Sequence, residues 1–273
     1  MTKIIYIHGF GGKEPYSEFE KKMRLFFESI NFRNKISIES YPWNSQHIDL
    51  KRITYLWEEA KKEAVYEAEK LAIYLKNLEK ENTHYYLIAF SLGTFVVLNA
   101  LNLMNEFNFI KKIIFMGSAS PKNFKITAKI NNKIINYYSI KKDKVLENLY
   151  GNIEGIPAGG LVGFDDLNNF INIKTNCVHK LGHNYLNLAE AIGYLITFNE
   201  NFITEGSVNL NWEISTMGGK VFWDDIYEND KIIIQQNDYI FKRYRAIDKI
   251  SNKRLCWSKN LHAVLKEMQI NKW

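Results

Sequence analysis

Along the first two hundred residues, short apolar runs alternate with longer stretches in which apolar residues return every three or four positions. The short runs are residues 4–7, 36–41, 85–90, 113–116, 134–140 and 170–173, rich in Ile, Tyr and Phe and too brief for helices, so each predicts a strand. Residues 18–29 predict an amphipathic helix with Phe19, Met23, Phe26, Phe27 and Ile30 on one side. Residues 53–78 predict the longest helix, with Ile53, Leu56, Trp57, Ala60, Ala64, Ala68, Leu71, Ala72, Leu75 and Leu78 on one stripe and Glu and Lys opposite. That much alanine predicts close packing on a sheet rather than a coiled coil. Two further helices are predicted over 92–105 and from after Tyr185 to about 198. Strands alternating with helices predict an α/β fold built on a mostly parallel, doubly wound sheet of about six strands.

The pattern then changes. Residues 199–219, with Thr204, Gly206, Ser207, Asn209, Gly218 and Gly219, read as a linker. Beyond it, residues 221–223, 231–236, 239–247 and 253–257 predict short strands, and 261–270 a terminal helix with Leu261, Val264, Leu265 and Met268 on one face. The domain reading is a catalytic-type unit over 1–200, a linker over 201–219 and a small C-terminal α+β module over 220–273. A unit of that size is marginal alone and is expected to dock on the larger one or on another subunit.

Candidate chemistry gathers where strands end. The run Tyr85-Tyr86-Leu87-Ile88-Ala89-Phe90 leads into Ser91, with a helical pattern starting at Leu92. A serine on a sharp strand-to-helix turn needs small residues two positions to either side, and Ala89 and Gly93 supply them. The pattern is A-x-S-x-G rather than G-x-S-x-G. The first strand ends in His8-Gly9-Phe10-Gly11-Gly12, a turn where a backbone N–H can closely approach a substrate carbonyl; a plain glycine-rich turn with a structural His8 is the alternative. Residues 151–165, with Gly151, Gly155, Gly159, Gly160 and Gly163, read as a long glycine-rich loop and a candidate pocket wall.

On the His-Gly turn, the serine turn, an Asp after the strand two beyond it and a His before the last helix, residues 3–198 resemble the α/β-hydrolase superfamily, of serine esterase and lipase type. Ser91, Asp143 and His183 follow the superfamily's order along the chain. The resemblance implies a reduced core without the usual first antiparallel strand pair, and no cofactor. It implies Ser91 as nucleophile, His183 as base and Asp143 as the group orienting that base, with the N–H groups of Phe10 and Leu92 as oxyanion hole and His8, Gly9, Ala89 and Gly93 shaping the two turns. Asp143 has a plain alternative as a surface charge or helix cap within Lys141-Lys142-Asp143-Lys144, and Asp165 and Asp166 stand in reserve. His179 competes with His183. The two are four apart like metal ligands, but the stretch between them lacks the Glu of H-E-x-x-H and contains Gly182, which disfavours zinc. His47, His84 and His262 read as structural. No long insertion separates the strands at 113–116 and 134–140, which predicts an open site suited to ester or acyl substrates of various sizes.

Composition narrows the setting. With 273 residues, 46% hydrophobic and 24% charged, the chain reads as an ordinary globular protein with no run of about 18 apolar residues that would span a membrane. The short strand after Met1-Thr2-Lys3 is too quickly interrupted for a signal peptide, which together with two isolated cysteines, Cys177 and Cys256, reads as cytoplasmic and reduced. The net charge is +6; residues 220–273 carry 11 basic against 7 acidic residues and leave 25 against 23 for the rest. Any protein, lipid-surface or nucleic-acid partner is therefore expected at the tail, where Lys242-Arg243-Tyr244-Arg245 and Lys253-Arg254 lie among Tyr239, Phe241 and Trp257. The rival to a serine hydrolase is a recognition protein with a vestigial hydrolase core whose tail binds the partner.

Overall fold

The structure, a computed structural model, describes residues 2–11, 14–29, 36–45, 50–104, 107–139, 143–175, 183 and 185–197, together with four strands within 224–258. The six predicted strands form one sheet: β1 (Thr2–Ile7), β2 (Ile36–Tyr41), β3 (His84–Phe90), β4 (Ile110–Met116), β5 (Ile134–Tyr138) and β6 (Phe170–Lys174). Every pairing is parallel and the order is β2-β1-β3-β4-β5-β6. This is the parallel six-stranded sheet that the sequence predicts.

Parallel strands need crossovers, and both faces of the sheet must then be covered. Successive strand residues divide accordingly. Ile4 and Tyr6 pack with Phe19, Met23, Phe26 and Phe27 of α1 (Glu14–Ser29) and with Leu195 and Ile196 of α6 (Ala189–Thr197), whereas Ile5 and Ile7 pack with the opposite layer. That layer is α2 (Ile53–Lys80) and α3 (Gly93–Asn102). The stripe from Trp57 through Ala60, Ala64, Ala68 and Leu71 to Leu78 is buried in the layer that covers Ile5 and Ile7, and α2 runs closest along α3. Among the described residues, no helix is long and apolar enough to cross a membrane.

The strand order reverses between β1 and β3: the chain leaves β1 for one neighbour and returns over the sheet to the other. Helices on either side of such a point diverge, which opens a crevice at the strands' carboxyl ends. Ile7 of β1 is paired with Ala89 of β3, so the His8-Gly9-Phe10 turn and Ser91 leave the sheet side by side at that crevice.

The glycine-rich stretch departs from expectation. It is not one loop: a π-helical turn over Val145–Tyr150 just before it runs into α4 (Gly151–Glu154), and α5 (Gly159–Val162) follows. Its glycines bring backbone close to the end of β4: a Cβ on Gly160 would collide with the Ser118 nitrogen and the Gly117 backbone. Gly159 N–H donates to Ser120 O at 2.8 Å and Gly160 N–H to Ser118 O at 2.9 Å, which fastens the segment to the core.

The C-terminal strands β7 (Asp224–Glu228), β8 (Ile232–Asn237), β9 (Arg243–Asp248) and β10 (Arg254–Ser258) form a separate antiparallel sheet in the order β10-β9-β8-β7. β8 and β10 fall on the predicted 231–236 and 253–257, and β9 on the described part of 239–247; residues 221–223 and 239–242 lie outside the described residues. The predicted linker and terminal helix lie outside the described residues.

Candidate active site

Ser91 has φ +54°, one of two non-glycine residues with positive φ among those described. A side chain there costs about 1–3 kcal/mol and persists only where surrounding contacts enforce it. Here they do. Ser91 N–H continues the sheet ladder to Met116 O at 3.1 Å, and Ser91 O accepts from Thr94 N–H and Ala119 N–H, both at 3.1 Å, and from the Thr94 hydroxyl at 2.7 Å.

The small residues around the serine are needed for close approach. A Cβ on Gly93 would lie 2.5 Å from Ile7 O and closer still to His8 O, so only glycine lets α3 start this near β1. A Cβ on Gly9 would lie 2.5 Å from the Ser91 Cβ and 3.1 Å from its Oγ, so the first turn runs directly past the hydroxyl. Ala89 is fully buried. Among the described residues, neither the Leu92 nor the Phe10 N–H has a backbone acceptor outside the helices and strands.

His8 plays a structural part. It is buried, stacked on Trp43 with ring centroids 5.4 Å apart, and its carbonyl accepts from the Trp43 indole N–H at 2.9 Å. That indole fixes the start of the turn carrying Gly9 and Phe10. Phe10 meets Trp57 edge to face at 5.8 Å, and Trp57 donates to Glu154 at 2.6 Å, with Lys61 completing the ion pair at 2.8 Å. Part of the glycine-rich segment thus anchors an aromatic group beside the turn.

Asp143 and His183 arrive from neighbouring strand ends, β5 and β6. Asp143 is wholly buried: Oδ1 accepts from Leu146 N–H at 3.0 Å, and Oδ2 is 2.6 Å from His183 Nδ1 and accepts from the Tyr185 hydroxyl at 2.9 Å. Burial is the largest single influence on its carboxyl and acts upward. The opposing attraction of His183 and the three hydrogen bonds outweigh burial, and the carboxyl is held below its ordinary range. The His183 ring lies on Phe90, the residue preceding Ser91, with centroids 4.8 Å apart. Its Nε2 is buried and has no hydrogen-bond partner among the described residues, so no bond to the Ser91 hydroxyl is formed in this structure. Such bonds are often long before substrate binds.

The reserve acids lie elsewhere. Asp165 is exposed and pairs with Lys122 at 3.3 Å, while Asp166 accepts from the N–H groups of Asn168 and Asn169. His84 packs on Phe109 at the opposite end of β3. His47, His179, His262 and Cys177 lie outside the described residues. Tyr185, Trp43, Thr94, Ser118 and Ser120 join the site without belonging to any of the motifs seen in the sequence. Tyr185 carried the one available signal, a tyrosine two residues beyond the candidate histidine.

No protein-family model matches the chain, and no curated protein matches it. Among solved structures it is similar to a Xanthomonas campestris pv. campestris protein assigned to the hydrolases of the alpha/beta superfamily, at 12% identity over 71% of this chain and 96% of that one, with a TM-score of 0.41. Arabidopsis thaliana SOBER1 is similar at 14% identity over 71% and 97% of the two chains, TM-score 0.40. A Trichoderma reesei cutinase in complex with a phosphonate inhibitor follows at 12% identity over 71% and 74%, TM-score 0.37.

Proposed function

We propose that this chain is a serine hydrolase that cleaves carboxylic esters or thioesters through an acyl-enzyme on Ser91. The observation that carries the reading is the buried Asp143 Oδ2 to His183 Nδ1 contact of 2.6 Å, which leaves Nε2 without a partner among the described residues, against the residue preceding a serine held at φ +54°. With its proton held on Nδ1 by an ionised Asp143, His183 has a basic Nε2 to offer the serine. On this reading the serine and the imidazole come within hydrogen-bond reach of each other when substrate binds.

In the first step Ser91 Oγ bonds to the carbonyl carbon and its proton passes to His183 Nε2. The carbonyl oxygen becomes an oxyanion facing the Phe10 and Leu92 N–H groups. Collapse breaks the bond to the leaving alcohol or thiol, which takes the proton from His183. Water then attacks the acyl group, gives a proton to His183, and releases the acid as the bond to Ser91 breaks; the proton returns to the serine. Asp143 stays ionised throughout and stabilises the imidazolium.

The test is turnover of a panel of p-nitrophenyl esters and acyl thioesters by wild type and Ser91→Ala. The wild type is expected to turn over at least one of them, and Ser91→Ala to lose about three orders of magnitude or more. A folded wild type inactive on the whole panel, or a Ser91→Ala variant equal to it, rejects the proposal.

A further inference from the structure

Three hydroxyls are buried together beneath the serine turn, and none of them belongs to the proposed triad. Thr94 Oγ1, on the first turn of α3, lies 2.7 Å from Ser91 O, 2.7 Å from Ser118 Oγ and 3.1 Å from Ser120 Oγ. Thr94, Ser118 and Ser120 are all fully buried. A hydroxyl has one proton and two lone pairs. A carbonyl oxygen can only accept, so the Thr94 proton is committed to Ser91 O. Both serine hydroxyls must then donate to Thr94, which fills its capacity and fixes the direction of every bond in the group.

Hydrogen bonds chained in this way polarise one another, so the two serines strengthen the bond Thr94 makes to Ser91. The same serines are tied onward through their backbones. Ser120 O accepts from Gly159 N–H and Ser118 O from Gly160 N–H, while Gly160 O accepts from Ser139 N–H at 3.0 Å and lies 3.4 Å from the Tyr185 hydroxyl, whose one proton is given to the nearer Asp143. Tyr185 in turn holds Asp143. A continuous set of buried polar contacts therefore runs from the carbonyl of the candidate nucleophile, beneath the ends of β4 and β5, to the candidate acid.

We propose that Thr94 is a positioning residue, whose hydroxyl, oriented by Ser118 and Ser120, holds the left-handed backbone of Ser91 in register with Asp143 and His183. This rests on the reading of Ser91 as nucleophile. Thr94 does not touch the reacting atoms. Its contribution is to the attack geometry, where a displacement of about 1 Å can cost about a hundredfold in rate.

The experiment uses the full chain and a fluorophosphonate probe, with separate measurement of the maximal inactivation rate and of the probe concentration giving half that rate. Thr94→Val keeps the side chain's shape, removes the donor to Ser91 O and strands both serine protons. The expected result is a fall of about tenfold or more in maximal rate, a half-saturating concentration within about twofold of wild type, and an unchanged midpoint in the pH profile, because His183 and Asp143 stay paired. Thr94→Ser, which restores the hydroxyl, is expected within about threefold of wild type. Ser120→Ala, which removes the longer of the two donations, should fall between them and serves in place of Thr94→Val if that variant does not fold. Wild-type rates in Thr94→Val, or in Ser120→Ala where it is the substitute, overturn the proposal. So does Thr94→Ser as slow as Thr94→Val, since side-chain shape would then be the cause. A wild type that the probe does not label at all rejects the nucleophile reading, and this inference with it.

Discussion

Replacing Asp143 by asparagine isolates the part of the site that the structure determines most fully. The carboxylate accepts from three donors, Leu146 N–H at Oδ1 and both His183 Nδ1 and the Tyr185 hydroxyl at Oδ2. An amide has one accepting end. If its oxygen keeps the Leu146 bond, its NH₂ faces His183 Nδ1, which must then accept, and the imidazole proton moves to Nε2, where it blocks uptake of the serine proton. If the amide flips, its NH₂ meets the Leu146 N–H instead. The first arrangement leaves the backbone intact and is the one expected. Hydrogen bonds to charged groups contribute about 1.5–3 kcal/mol each, so the variant should lose about 3 kcal/mol of stability. For a domain of about 200 residues that lowers Tm by roughly 6–12 °C. If the three residues act as proposed, the wrong tautomer costs about 10⁴ in kcat. Circular dichroism melting and steady-state hydrolysis of a p-nitrophenyl ester measure the two effects. An Asp143→Asn protein with kcat within tenfold of wild type would refute the reasoning, because it would show that the acid does not set the histidine's tautomer.

Two further outcomes follow from the same geometry. Because the folded-state pKa of Asp143 is depressed, its stabilising contribution is full above the unfolded value of about 3.9 and is lost as pH falls through the lower folded value. The Tm difference between wild type and Asp143→Asn should accordingly be constant above about pH 5 and narrow below pH 4, and a difference that widens in acid contradicts the sign. Gly93→Ala places a methyl group within 2.5 Å of Ile7 O, pushing α3 and the Leu92 N–H away from the first turn; it should cost about 1–3 kcal/mol by thermal melting and about a hundredfold in kcat, whereas wild-type kcat would mean the two turns need not meet.

The sheet was readable from the sequence because a buried parallel strand is a local signal: 36–41 was bounded correctly, and the alternation of Ile4 and Tyr6 against Ile5 and Ile7 divides the two helical layers. The serine turn was readable for a related reason, since Ala89 and Gly93 answer a steric demand within five residues. Residues 151–165 misled because glycine signals a turn and close packing equally well, and Gly159 and Gly160 serve the second. Thr94, Ser118 and Ser120 left no comparable trace, and Tyr185 only its place two residues beyond His183. Their partners are set by which strand ends become neighbours, and a serine or tyrosine that donates one buried hydrogen bond looks in sequence like any other.

The most direct test of the account is a crystal structure of the protein after reaction with a fluorophosphonate. The account places the phosphorus on Ser91 Oγ, one phosphoryl oxygen between the Phe10 and Leu92 N–H groups, and His183 Nε2 within about 3.2 Å of the serine oxygen while Nδ1 remains on Asp143. A phosphonate attached to another residue, or an imidazole still unable to reach Ser91 in the adduct, would contradict it.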